Sequence, residues 1–254
     1  MLAFGPIDGA AGIAGTVVSS IASVAAPLAG TAATAIAIIL FTMGVRLLIS
    51  PLTWAQIRGQ RRTAALAPRL RELQTKHKSD PAALQTEMMK LYREEGASPL
   101  GGCLPALLQI PFFTVMYRLF TTPQLAGEHN ALLDERFFGT PLGAHANEGG
   151  LVLFVVLLVM LTVLAWWSSR RMALVQAATP VSPDAPPGQA QIMRFMRFLP
   201  YGTVLFAAIV PLAAVLYLVT TTTWTAVERL VLGADRHLLT PTAAPSSAAE
   251  PGRG

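Results

Sequence analysis

Long apolar runs separated by shorter polar stretches make up most of this sequence. An α-helix rises about 1.5 Å per residue, so about 20 apolar residues can cross a hydrocarbon core about 30 Å thick. The pattern predicts five membrane-spanning helices, with expected bounds 28–54, 101–120, 151–168, 195–209 and 211–230. We divide the last apolar run at Pro211, because a single helix over it would be about 50 Å long. The alternative is one bent helix, which would place the C-terminus on the opposite side.

The polar stretch over residues 55–98 has the pattern of two amphipathic helices. In each half, apolar residues recur at helical spacing: Leu66, Leu70 and Leu73, then Leu84, Met88, Leu91 and Tyr92. Between the halves, Asp80 followed by Pro81 is typical of a helix start. The sequence therefore predicts a helical hairpin between the first two spans, rather than a solvated charged loop.

Composition and charge support a membrane protein and indicate its orientation. Hydrophobic residues make up 53% of the 254 residues and charged residues 13%, about half the share of a soluble domain. The hairpin is rich in Lys and Arg, whereas residues 121–150 carry four acidic residues and one arginine. Because basic loops stay on the cytoplasmic side, we expect the hairpin and the 169–194 loop in the cytosol. The 121–150 loop and the N-terminus are then outside.

The two ends of the chain carry weaker patterns. Residues 1–27 are rich in Ala, Gly and Ser and contain no Lys or Arg, so they lack the basic region of a signal peptide. The alternatives are an amphipathic stretch on the outer surface and a disordered extracytoplasmic lead-in, and we expect the second. Residues 231–254 are of low complexity and contain several prolines, which predicts a disordered cytoplasmic tail.

Arg46 is the only charged residue between positions 9 and 57, within the first apolar run. A charge at mid-membrane costs about 2.5–3.5 kcal/mol on insertion scales, so it needs water or a partner. One interpretation is a side chain that extends to the cytoplasmic interface. The other is an arginine that faces a wet cavity inside the bundle. The apolar residues that continue through Trp54 favour the second, and Thr42 lies one turn earlier on the same face.

Other kinds of chemistry find little support in the sequence. Cys103 is the single cysteine and the four histidines share no ligand spacing, so we expect no metal site. The sequence contains no phosphate-binding loop and no G-x-S-x-G motif. We therefore expect neither an enzyme nor a bound cofactor.

Four stretches carry a resemblance to a known family. They are Thr42-x-x-x-Arg46-x-x-x-x-Pro51-Leu52, Leu66-x-Pro68-Arg69-Leu70 with Gln85-x-Glu87-Met88-Met89-x-Leu91-Tyr92, the segment 98–113, and Ile192-Met193-x-Phe195-Met196 with Leu216-Tyr217. Segment 98–113 reads Ser-Pro-Leu-Gly-Gly-Cys-Leu-Pro-Ala-Leu-Leu-Gln-Ile-Pro-Phe-Phe and is the most specific. Together they resemble the YidC/Oxa1/Alb3 membrane protein insertases, in the bacterial form without a large periplasmic domain.

The resemblance implies an all-α integral membrane protein whose five-helix core surrounds a polar groove open to the cytosol. It implies that Arg46, Thr42 and Tyr217 line this groove. We add Gln109 in the second span and Ser168 near the end of the third. The basic residues of the hairpin are the expected contacts of substrate, ribosome or anionic lipid: Arg58, Arg61, Arg62, Arg69, Arg71, Lys76 and Lys78.

On this resemblance we expect a membrane protein insertase and chaperone of the bacterial cell membrane, acting alone or with the Sec translocon. Its partners would be nascent membrane proteins, with the translocon, the ribosome and anionic lipids as further candidates. We expect a monomer without specific nucleic-acid recognition. The alternative is a transporter or anion channel that uses Arg46 as its binding site, although the sequence lacks the internal repeat common in transporters.

Overall fold

The structure is a computed structural model and describes residues 5–77, 79–96, 104–125, 127–178 and 189–232. These residues form helices α1 Gly5–Ala29, α2 Ala33–Ala65, α3 Ala67–Lys76, α4 Pro81–Glu94, α5 Leu104–Thr121, α6 Leu151–Ala178, α7 Gln189–Met196, α8 Leu199–Ala207 and α9 Leu212–Val231. Two short antiparallel ladders lie between α5 and α6: β1 Gln124–Leu125 with β2 Glu128–His129, and β3 Arg136–Phe137 with β4 Thr140–Pro141. This architecture agrees with the prediction of an all-α protein.

Two helical segments of the described chain are long and apolar enough to cross a membrane. They are Ile7–Gly59 and Leu151–Leu174. The first includes Gly30, whose φ of 51° lies in the left-handed region that glycine adopts without steric cost. The chain therefore changes direction there, and the segment consists of α1 and most of α2.

The N-terminal segment differs from expectation. We predicted a disordered lead-in over residues 1–27, but residues 5–29 form α1, which packs against α2 and α5. Its buried residues are the small Ala11, Ala14, Gly15 and Val18, so the helices approach closely. Ala is the strongest helix former, and the burial of its small side chains depends on partner surfaces elsewhere in the chain.

A glycine and an ion pair fix α1 on α5. A Cβ added at Gly15 would lie 3.3 Å from Leu119 Cδ1, which shows how tightly the two helices meet. Near the start of α1, Asp8 Oδ1 accepts a hydrogen bond of 2.9 Å from Arg118 Nε on α5. Both side chains are about 30% exposed or less, so solvent screens this ion pair only in part.

The bundle core is built around α9, which packs against α2, α5, α6 and α8. Every residue from Val210 to Val219 is buried, and the largest neighbours without exposure are Phe120, Phe154 and Ile38. α9 begins after Pro211, where its first N–H groups would lack partners within the helix. The amides of Leu212 and Ala213 instead donate to carbonyl oxygens of the 122–150 segment, at 3.0 and 2.9 Å.

These contacts define two ends of the bundle. We call the end covered by residues 122–150 the loop end, and the end from which α3 and α4 extend the hairpin end. Residues 30–32, a short 3₁₀ helix directly before α2, contact the loop segment, and so does the start of α9. Both α2 and α9 therefore run from the loop end to the hairpin end. The two helices are therefore parallel neighbours.

Helices α3 and α4 contact each other beyond the end of α2. Asp80 caps α4, because its Oδ1 accepts hydrogen bonds from the amides of Ala82 at 3.1 Å and Ala83 at 3.0 Å. Leu66 and Leu91 are the buried apolar residues of this unit, and an ion pair joins Arg69 to Glu95. The first of these helices begins at Ala67, so α2 itself supplies residues 55–65, which we had predicted to belong to the hairpin.

Helix α6 also continues past its predicted span. The span was expected to end at residue 168, whereas the helix reaches Ala178. The guanidinium groups of Arg170 and Arg171 lie over the rings of Trp166 and Trp167, at 4.8 and 4.6 Å from the ring centroids. Aromatic residues followed by basic ones mark a membrane interface, and such an interface does not require the helix to end.

Candidate functional site

Arg46 lies on α2 and points towards α9. Its Nε donates a hydrogen bond of 2.6 Å to Thr221 Oγ1, and its Nη2 donates to the same oxygen. The side chain is partly buried, so the guanidinium is neither in bulk water nor fully enclosed. The contact joins α2 to α9 through a cation and a neutral hydroxyl.

Thr42 is almost completely buried, with 1% of its surface exposed. Its hydroxyl donates to Ile38 O in the same helix at 2.7 Å. This bond satisfies the hydroxyl donor locally, as is usual for threonine within an apolar helix. Thr42 therefore belongs to the α2–α9 packing one turn before Arg46, and its hydroxyl donor is already in use.

Helix α9 presents a line of polar groups along one face. Tyr217, Thr221, Trp224 and Glu228 follow at spacings of four, three and four residues, which is the repeat of one helix face. Tyr217 and Glu228 both interact electrostatically with Arg46. Within the described part of the chain, Trp224 Nε1 and Glu228 Oε1 are buried atoms without a hydrogen-bond partner. The polar groups around Arg46 thus extend along α9 towards the hairpin end.

Tyr217 is only 3% exposed and its ring lies 6.1 Å from that of Phe120 on α5. We predicted it as a residue that contacts substrate in the groove. In this structure such a contact would require the ring to be uncovered first. Its position one turn before Thr221 places it beside Arg46 within the core.

Three residues of this site were missed in the sequence. They are Thr221, Trp224 and Glu228, which lie in a helix that we treated as a purely apolar span. A run of four threonines at 220–223 interrupts the apolar pattern three residues after Tyr217, and a tryptophan and a glutamate continue the same face. That helical repeat of polar residues is the signal that could have identified them.

Two predicted groove residues remain, Ser168 and Gln109. Ser168 is partly buried near the hairpin end of α6, beside the buried Ser169, and does not hydrogen-bond Arg46. The side chain of Gln109 lies outside the described residues. The structure therefore brings together Arg46, Thr42 and Tyr217 of the predicted set and adds the polar face of α9.

The predicted hairpin contacts occupy different environments. The Arg58 guanidinium carbon lies 3.2 Å from the centroid of the Trp54 ring, and Arg69 pairs with Glu95. Three others are exposed on the surface: Arg62, Arg71 and Lys76. The side chain of Arg61 and the whole of Lys78 lie outside the described residues.

A second polar region covers the loop end. A pocket there is lined by residues that include His129, Asp134 and Glu148, and His129 Nε2 lies 2.5 Å from Asp134 Oδ2. The backbone N–H of His145 donates to Glu148 Oε2 at 2.8 Å, and this bond, with the His145 side chain, lowers the pKa of that carboxyl. Among the described residues, no group of three or more His, Cys, Asp or Glu side chains could hold a metal ion.

Taken together, the long apolar helices and a partly buried cation between two of them define an α-helical membrane protein with a charged site inside its bundle. Comparison with known proteins identifies the family. A family model described as "60Kd inner membrane protein" matches residues 26–237, which is most of the chain. The protein therefore belongs to this YidC/Oxa1 family, as its sequence motifs indicated. This membership agrees with a location in a membrane.

Curated relatives carry the name "Membrane protein insertase YidC". The sequence is 45% identical over 92 residues to the protein of Wolinella succinogenes, 48% over 83 residues to that of Helicobacter pylori, and 41% over 95 residues to that of Chlorobium limicola. The matched segments cover 36%, 33% and 37% of this chain. They cover only 17%, 15% and 16% of the respective relatives.

Proposed function

We propose that this protein is a membrane protein insertase and chaperone that captures acidic residues of incoming segments at Arg46. The observation that carries the proposal is the bonding of Arg46, which lies within an apolar bundle and donates to the neutral hydroxyl of Thr221. A guanidinium whose hydrogen-bond acceptor is neutral keeps its charge available for a carboxylate of another chain. The name of the curated relatives, membrane protein insertase, supports the same activity.

The proposed mechanism follows from the cost of moving polar groups through hydrocarbon. A polar groove between α2 and α9 would shorten the apolar path that the polar flank of an inserted segment must cross. An acidic residue of that flank pairs transiently with Arg46, and the contact is strong because the local dielectric is low. The apolar part of the segment then moves into lipid, driven by removal of its apolar surface from water. No covalent step and no cofactor enter this mechanism.

The proposed topology has five core spans: α2, α5, α6, the segment formed by α7 and α8, and α9. Helix α8 alone has nine residues, so it needs α7 to reach across the membrane. The hairpin end faces the cytosol and the loop end faces outward, with the N-terminus outside and the C-terminus in the cytosol. The support for this orientation is the charge contrast between the basic hairpin and the acidic 121–150 segment. In this topology α1 packs on the bundle as an additional helix that starts outside.

The proposed partners are nascent membrane proteins, anionic lipids, the ribosome and the Sec translocon, with the protein itself a monomer. The exposed cations Arg62, Arg71 and Lys76 support contact with anionic surfaces at the hairpin. Each basic residue near an anionic membrane contributes about 1 kcal/mol to binding. The proposal that the translocon and the ribosome are partners rests on the family resemblance.

The test is insertion by the purified protein in liposomes, with Arg46→Ala compared with Arg46→Lys. The substrate carries an acidic N-terminal tail, and a matched substrate carries a neutral tail. A hydrogen bond to a charged group is worth about 1.5–3 kcal/mol, so we expect Arg46→Ala to slow insertion of the acidic tail about tenfold or more. Arg46→Lys should keep part of the activity.

The outcomes separate the parts of the proposal. Full activity of Arg46→Ala with the acidic tail would refute the capture step. Failure of the wild-type protein to insert either substrate, in liposomes where it is folded, would refute the insertase assignment.

A further inference from the structure

Glu228 lies close to the site of Arg46 but forms no ion pair with it. It follows Thr221 by seven residues, so it lies two turns, or about 10.5 Å, further along the same face of α9. Arg46 uses its Nε and Nη2 to bind Thr221 instead. The site therefore contains two opposite charges that are close enough to interact but are held apart.

The carboxylate of Glu228 is incompletely satisfied in this structure. Its Oε1 is buried and has no hydrogen-bond partner among the described residues. A buried acceptor without a donor costs about 1–3 kcal/mol, and more when it is charged. Folded proteins pair most such groups, so an exception calls for an explanation. A donor supplied by a bound chain would satisfy this oxygen.

Arg46 and Glu228 lie at different depths along the proposed groove. Arg46 is level with Thr221, whereas Glu228 is nearer to the hairpin end. A segment that enters from the hairpin end with an acidic flank in front meets Glu228 before Arg46. A basic residue about seven helical positions behind the acidic one would then lie level with Glu228.

We propose that Glu228 sets the charge preference of the site: it weakens the capture of acidic residues by Arg46 and accepts a basic residue of the same segment. This inference rests on the proposed insertase function and names the substrate class of that site. The class is a segment whose polar flank carries an acidic residue and, about seven helical positions behind it, a Lys or Arg. Arg46 and Glu228 then bind these two residues of one flank.

The experiment measures binding of fluorescent peptides to the full-length protein in lipid nanodiscs. Three probes share one apolar core and differ in their flanks, which are acidic, neutral or basic. A unit charge about 10 Å away, at an effective dielectric of about 20–40, changes affinity by about fourfold to sixteenfold. We expect Glu228→Gln to tighten binding of the acidic probe by about that factor, to weaken the basic probe, and to leave the neutral probe unchanged.

Two further variants make the result specific. Glu228→Asp retains the charge and should bind all three probes as the wild type does. Glu135→Gln makes the same charge change at an exposed position of the loop end and should also leave the three affinities unchanged. If Glu135→Gln reproduced the Glu228→Gln pattern, the effect would be one of net charge, and the inference would be overturned.

Failure of this inference and failure of the capture step give different results. If the wild type prefers the acidic probe over the neutral one but Glu228→Gln changes neither affinity, the role of Glu228 is overturned and the capture step stands. If the wild type binds acidic and neutral probes equally and Arg46→Ala changes nothing, both are overturned.

Discussion

The hydrogen bond between Arg46 and Thr221 provides the most direct test of the site geometry. Thr221→Val keeps the shape and volume of the side chain but removes the oxygen that accepts from both Nε and Nη2. The guanidinium would then lose its described acceptor in a partly buried position. Because the two helices joined by this contact form part of the core, the loss should appear in the stability of the whole bundle.

The expected magnitude follows from the charge and the burial of the pair. Hydrogen bonds to charged groups contribute about 1.5–3 kcal/mol in proteins, whereas side-chain hydrogen bonds in one membrane protein average about 0.6 kcal/mol. Arg46 is only partly buried, so water can replace part of the lost interaction. We therefore expect a coupling energy of about 1–2 kcal/mol between the two side chains.

The assay is a double-mutant cycle on unfolding of the purified protein in micelles, with Thr221→Val, Arg46→Met and the double variant. Thr220→Val is the matched control, because the Thr220 hydroxyl donates to Leu216 O within its own helix. Its coupling to Arg46→Met should be near zero. A coupling energy for Thr221 that is no larger than that of Thr220 would refute the contact as a stabilising link between α2 and α9.

Two further predictions concern other parts of the chain. Gly15→Val should destabilise the protein by about 1–3 kcal/mol more than Gly12→Val in thermal unfolding, because only at Gly15 does a new Cβ meet Leu119; equal effects would mean that α1 does not pack on α5 as described. Deletion of residues 58–94 should reduce substrate delivery in the insertion assay while the core still enters the membrane, and unchanged delivery would leave the hairpin a structural element only.

Arg46 could be identified from the sequence because its position in the chain is sufficient to reveal it. A single charge in a long apolar run is energetically costly wherever it lies in the fold, so the residue stands out before any contact is known. The same is true of Asp80, since a capping side chain acts on amides two and three residues away. Structural features that depend on contacts within one helical turn, or on the cost of a charge in lipid, can therefore be predicted from a single sequence.

The partners of Arg46 depend on information that a single sequence carries only weakly. Four consecutive threonines occupy positions 220–223, and only the orientation of α9 against α2 decides which hydroxyl meets the guanidinium. Thr220 bonds within its helix while Thr221 bonds across to Arg46. Helical spacing from Tyr217 to Glu228 identifies a polar face, but not the helix that it faces.

Helix α1 and the cap of α9 show a different limit. The buried residues of α1 are small, and their burial depends on Leu119 and Leu132, more than 100 residues away. The start of α9 is satisfied by backbone carbonyls of Leu142 and Ala144, which any residue could supply. Backbone groups carry no residue-specific signal, so this connection between the loop and the core follows only from the tertiary structure.

The choice of a hydroxyl as the resting partner of Arg46 has a consequence for release. If a carboxylate of the same chain held the guanidinium tightly, an incoming acidic residue would have to break a charged pair to form another, with little net gain. The Thr221 hydroxyl accepts from two guanidinium nitrogens but leaves the charge uncompensated. Exchange of the hydroxyl for a carboxylate is then favourable, and Glu228, two turns away, limits how favourable it becomes. Capture that is favourable yet limited is what a site must provide if the bound segment is to leave it again.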